Sequence, residues 1–188
     1  IQRRWRAGAA ERCPCPVVAV EDEVVVPTSV LPAREEWAAR TLRPRITRHL
    51  DAFLRLDRDS WPRRDSLAIR VPGEAVDLSD HERCFATLEL DAGDDAKRSL
   101  RLRGGASEAR RLLRRFVERR LARYHLDRSD PGLDCQSGLG PYLHFGQISP
   151  REAAVAARDA GHAPEEARGA FLEELIVRRE LSANFCLR

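Results

Sequence analysis

The stretch from Ser137 to Pro150 constrains this chain more than any other. Gly138, Gly140 and Gly146 punctuate it, with a short apolar run from Tyr142 to Phe145 between them. Glycines let the backbone turn and let another group approach closely. Ser149-Pro150-Arg151-Glu152 then reads as a helix start. Ser149 is the N-cap acceptor, Pro150 suits the first helical position, and Glu152 reaches back to complete a capping box. Backbone N–H groups at such a turn favour an anion. A plain surface loop has the same composition, so the flanking blocks must decide between the two.

Those flanks are helical. Ser107 opens one helix, with Leu112, Leu113, Phe116, Val117, Leu121 and Tyr124 as its apolar stripe and arginines filling the remainder. It winds down between His125 and Asp130, before Pro131. Pro150 to Ala160 is a small alanine-rich helix ended by Gly161, and Pro164 starts a final helix burying Phe171, Leu172, Leu175 and Ile176. Earlier in the chain, Glu35 to Leu56 has helical spacing interrupted by Pro44, which predicts a kink or a restart there. Trp37 reads as a core anchor. Val17–Val20 and Val24–Val26 read as short strands. Residues 57–106 lack a sustained period except around His81 to Leu90, and predict a long connection carrying one short helix.

Charge adds a constraint on partners. Residues 101–128 hold ten arginines against three acids, a local excess of +7 in a chain whose net charge is +3. That favours a phosphate-bearing partner. The competing reading is a solvated helix face, because Lys97 is the one lysine among 33 basic residues and arginine is the habit of the whole chain.

Other chemistry is disfavoured. The five cysteines (Cys13, Cys15, Cys84, Cys135, Cys186) are scattered, which argues for a reducing, cytoplasmic compartment and against a disulfide framework. Cys13-Pro14-Cys15 lacks a partner pair, and no histidine has ligand spacing, so no metal is expected. His144, inside an apolar run, reads as a hydrogen-bonded packing residue. No apolar run reaches membrane-spanning length, so no membrane partner is expected. The chain has no Met, and its last residues lie inside a helical pattern, so both ends read as cuts through a longer protein.

Three blocks, in order and spacing, resemble the DNA photolyase family: Tyr124 to Pro131, Ser137 to Pro150, and Phe171 to Cys186. The last is worded like the class II cyclobutane pyrimidine dimer photolyases. The resemblance implies a mostly α fold. Residues 1–56 would be the end of an N-terminal α/β (Rossmann-like) domain, 57–106 an interdomain connector, and 107–188 the first part of a helical FAD-binding domain. It implies light-driven repair of pyrimidine dimers by electron transfer from reduced FAD, with UV-damaged DNA as the partner, an antenna chromophore as a second cofactor, and a monomer as the working unit. This stretch alone would hold FAD weakly.

Site roles follow from the same resemblance. Tyr124, Gln136, Ser137, Gly138, Leu139 and Gly140 would bind the FAD phosphates, and Phe171 would pack near the flavin. Glu174 would hydrogen-bond the flipped-out dimer as the catalytic carboxyl. Arg128 and Arg178 would contact DNA, and Asn184 would lie at the pocket edge. Two positions depart from the family: Gly140 stands where a serine is usual, and Ala183 where an aspartate is common. Read without the family, Glu174 and Arg178 are an i,i+4 ion pair, and Arg128 is a loop salt bridge to Asp127 or Asp130. The rival functions are a cryptochrome-like flavin photosensor and a non-catalytic DNA-binding remnant.

Overall fold

In the computed structural model the described residues are 2–31, 36–56, 68–70, 72–73, 79–87, 99 and 101–187. Two compact units result. One combines residues 1–56 with 104–188, and the other spans 57–103.

The protein is mostly α, with no β-strand among the described residues. The larger unit contains α1 (Gln2–Arg12), α2 (Ala39–Phe53) and, after the smaller unit's α3 (His81–Thr87), α4 (Ala106–Arg119). A 3-10 turn at Leu121–Arg123 leads into the one-turn α5 (Tyr124–Asp127). Then come α6 (Gly140–His144), α7 (Pro150–Arg158) and α8 (Glu165–Leu172). A π-helical turn, Glu173–Arg178, joins α8 to α9 (Arg179–Leu187) without a break.

The core follows the apolar stripes. Ala109, Leu113 and Phe116 of α4 are buried, and so are Ala153, Ala154 and Ala157 of α7 and Phe171 of α8. Small residues on α7 let its backbone come close to α4 and α8, its neighbours. Leu42 and Ile46 carry α2 into the same cluster. The helix runs through Pro44 as one element, so the expected restart is absent. Ser149 caps α7 as expected, accepting the Arg151 N–H at 3.1 Å. Glu152 turns away from the capping box and forms a bidentate pair with Arg110 of α4, which locks the two helices together. α4 starts one residue earlier than expected, after Gly105 at φ +108° with no side-chain cap, so Ser107 is not its N-cap.

Four expectations need correction. Val17–Val20 form no strand: Val17, Val18 and Val20 are exposed, and no ladder partner is present among the described residues. Val24–Val26 are buried, but as irregular chain rather than the expected strand. Their backbone donors go to a carboxylate. Glu180 Oε1 accepts from Val25 N at 3.1 Å and from Val26 N at 2.8 Å. Trp37 is not a core anchor, being 83% exposed beside the start of α2. His144 is exposed too, and its ring meets Phe145 edge to face. Of the predicted connection at 57–106, most lies outside the described residues. The helix expected around His81 to Leu90 is present as α3, and 88–90 are not described.

Candidate functional site

The site is floored by aromatic rings. Tyr124 meets Phe116 and Phe171 edge to face at centroid distances of 5.6 and 5.5 Å, and the two phenyl rings lie 4.7 Å apart. This packing fixes Tyr124 at the junction of the 3-10 turn and α5. Phe171 is part of this buried aromatic group. The Tyr124 hydroxyl is pushed above its ordinary range, first by burial and next by the nearby Glu174 carboxylate. The nearby Arg128 guanidinium opposes the shift.

Arg128 and Glu174 complete the group. Arg128 donates to Glu174 Oε1 at 2.7 Å, and both side chains remain more than a third exposed. Arg128 therefore bonds to neither of its local acids, and Asp127 pairs with Arg123 instead. Arg128 and Glu174, 46 positions apart in sequence, thus form an ion pair at the protein surface, and Tyr124 lies close enough to feel both charges.

The π-turn explains where Glu174 points. Widening one turn puts residues five apart, rather than four, on a common face. Glu173 rather than Glu174 faces Arg178, at 4.0 Å, so the expected i,i+4 pair is not formed. Glu173 is held by a bidentate contact with Arg43 of α2, at 2.9 and 2.7 Å, and that guanidinium keeps its carboxyl below the ordinary range. With Glu173 anchored sideways, Glu174 turns outward to Arg128. Arg178 stays exposed and outside the cluster.

The loop from Asp134 to Gly140 lies against the same turn. Gln136 Nε2 donates to the Arg128 carbonyl at 2.9 Å, and Arg120 donates to the Gln136 carbonyl at 3.0 Å while bonding Asp134. Ser137 Oγ accepts the Leu139 N–H at 3.3 Å, and Leu139 is buried, pinning the loop from inside. Gly138 sits at φ +71°, a conformation that favours glycine. A side chain at Gly138 or Gly140 would meet nothing within 4 Å, so the backbone here is open to an approaching group. Gly140 also borders a cavity of about 1210 Å³ lined in part by Glu21, His144, Ser149 and Arg179. A phosphate group fits this open, glycine-rich turn, with Ser137 and the backbone as its polar partners.

Two polar residues of α9 are buried: Glu180, which gave no sequence signal, and Asn184, which the resemblance put at a pocket edge. Glu180 is 1% exposed and its Oε2 has no partner among the described residues. Burial pushes its carboxyl up to about 7, against the pull of the Val25 and Val26 N–H groups. Asn184 is also buried, and its Oδ1 accepts the Glu36 N–H at 2.8 Å. Glu36 in turn pairs with Arg45. Both residues tie the α9 helix to the N-terminal segment.

A mostly helical unit thus carries a glycine-rich turn and, over a group of aromatic rings, an outward carboxylate–guanidinium pair. No protein-family model matches the sequence. Individual proteins do match it. Over 185 residues, 98% of this chain and 38% of the relative, it is 40% identical to the deoxyribodipyrimidine photo-lyase of Methanothermobacter thermautotrophicus. It is 33% identical to the deoxyribodipyrimidine photo-lyase of Oryza sativa over 89% of this chain and 33% of the relative. It is 31% identical to that of Potorous tridactylus over 91% of this chain and 31% of the relative. The chain is thus a photolyase-like segment along nearly its whole length, and it spans between 31 and 38% of the length of these relatives.

Proposed function

We propose that the chain belongs to a class II cyclobutane pyrimidine dimer photolyase and that its gene product repairs UV-damaged DNA in a light-driven reaction. The observation that carries this reading is the Tyr124–Arg128–Glu174 cluster, supported by the near full-length similarity to deoxyribodipyrimidine photo-lyases. FAD is the cofactor, and when reduced and excited it supplies the electron that opens the cyclobutane ring. Ser137, Gly138, Leu139 and Gly140 hold its phosphates through backbone and hydroxyl contacts, and Gln136 braces that turn. Tyr124 faces the same region. Phe171 acts from beneath by fixing the ring of Tyr124.

Glu174 is the group that meets the flipped-out dimer. A carboxylate accepts the N–H edges that thymines offer, and the emptied base pair leaves those edges unsatisfied. Arg128 holds the Glu174 carboxylate in place before DNA arrives and can turn to a phosphate when it does. Arg178, exposed and only distantly paired, contacts the backbone nearby. Residues 1–56 correspond to the end of an α/β domain, 57–106 to a connector and 107–188 to the opening of the FAD-binding domain. An antenna chromophore binds elsewhere in the gene product. All five cysteines are free, in keeping with a reducing cytoplasm, and the working unit is a monomer. No helix among the described residues is long and apolar enough to cross a membrane.

Selective binding tests this reading. The full-length gene product is titrated with a thymine-dimer oligonucleotide and its undamaged twin, and its visible spectrum is recorded. The expected result is a flavin spectrum and tighter binding of the damaged strand. Flavin without preference for damage would favour a photosensor. Equal affinity without flavin would favour a DNA-binding module.

A further inference from the structure

The solvent face of α4 carries three cations left unpaired among the described residues. Most neighbouring arginines are neutralised: Arg110 by Glu152, Arg111 by Glu108, Arg120 by Asp134 and Arg123 by Asp127. Arg114, Arg115 and Arg119 are exposed and have no ion-pair or hydrogen-bond partner among the described residues. They line a shallow concavity of about 440 Å³ with Arg111 and Glu118. This face is opposite the buried stripe of Ala109, Leu113 and Phe116 and lies outside the Tyr124–Arg128–Glu174 cluster.

From this arrangement we infer that the arginine face of α4 is a second DNA-contact surface, which grips the sugar-phosphate backbone without reading sequence or damage. The inference rests on DNA being the partner proposed above. From Arg114 to Arg119 the helix advances about 7.5 Å, and one strand of a duplex presents a phosphate every ~3.4 Å of its axis, so about two to three phosphates lie along the length of the face. Guanidinium forks match phosphate oxygens in pairs, and free forks in a concavity are preset for that contact. Glu118 also lines the concavity, and it lowers the local charge without pairing with the three arginines. The surface therefore adds affinity and salt dependence, and leaves damage selectivity to Glu174.

Salt-dependent binding of the full-length gene product separates the two roles. R114Q/R115Q/R119Q is compared with R40Q/R48Q/R55Q, which removes the same charge from exposed, unpaired positions on and beside α2. Affinity for an undamaged duplex and for its dimer-containing twin is measured across a salt series. Each lost phosphate contact lowers the slope of log K against log salt by about 0.9, so the α4 triple should lose about 2 to 3 in slope and the α2 triple less than about one. The damaged-to-undamaged affinity ratio should be unchanged in the α4 triple. Equal slopes in the two triples, or no duplex binding by the wild type, would overturn the inference. A wild type with no damage preference but with the slope loss in the α4 triple would overturn the photolyase reading and leave the α4 surface standing.

Discussion

Replacing Glu180 by glutamine should reshape the pH dependence of stability. The wild-type carboxyl is buried, holds two backbone N–H groups with one oxygen and leaves the other without a partner among the described residues. Its folded-state pKa is raised to about 7, above the ordinary 4.5. Between those values the folded protein keeps a proton that the unfolded chain releases, so unfolding becomes easier as pH rises. The stability attached to the protonated form is fully present below about pH 4.5 and lost as pH climbs through 7. A shift of that size corresponds to about 3 kcal/mol in total, of which about 2.5 kcal/mol falls between pH 5 and pH 8. Glutamine keeps an acceptor for Val25 and Val26 but cannot ionise. Urea unfolding of both proteins at pH 5, 6, 7 and 8 isolates the effect, because every other titrating group is common to the two. The wild type should lose about 2.5 kcal/mol relative to Glu180→Gln across that range. Parallel pH profiles would refute the reasoning, and would mean that water or a second partner reaches Oε2.

Two further outcomes follow from packing and backbone geometry. Phe116→Ala removes a fully buried ring that contacts both Tyr124 and Phe171, and should cost about 3–5 kcal/mol by chemical denaturation. Gly138→Ala meets no steric obstacle but forces a side chain into φ +71°, and should cost about 1–2 kcal/mol in the same assay.

Much of the fold could be read from the sequence because helices advertise themselves by period. The stripe of Leu113 and Phe116, the Ser149 cap and the buried face of Phe171, Leu175 and Ile176 all lie where their spacing put them. The failures have physical causes. A run such as Val17 to Val20 favours a strand only if another strand pairs with it, and a single sequence does not say whether one does. Trp37 is apolar enough for a core, but burial depends on what packs over it. The π-turn left no trace either: one widened turn moves Glu174 from the Arg178 side to Arg128, and nothing in local composition announces it. Glu180 looks like a surface residue of a helix until the N-terminal segment is seen to dock on it. Motif resemblance singled out Tyr124, Arg128 and Glu174 alike, and the fold adds the Arg128–Glu174 ion pair beside Tyr124.

The central claim is that Glu174 serves a light-driven repair site. The most direct test is illumination of a thymine-dimer oligonucleotide with the full-length gene product, flavin reduced, while base absorbance is followed. The wild type should restore absorbance in light and not in darkness. Glu174→Ala should lower the light-driven rate by about 10- to 100-fold, the equivalent of a charge-assisted hydrogen bond worth ~1.5–3 kcal/mol. A wild type that restores nothing in light, or a Glu174→Ala variant that repairs as fast as the wild type, would contradict the account.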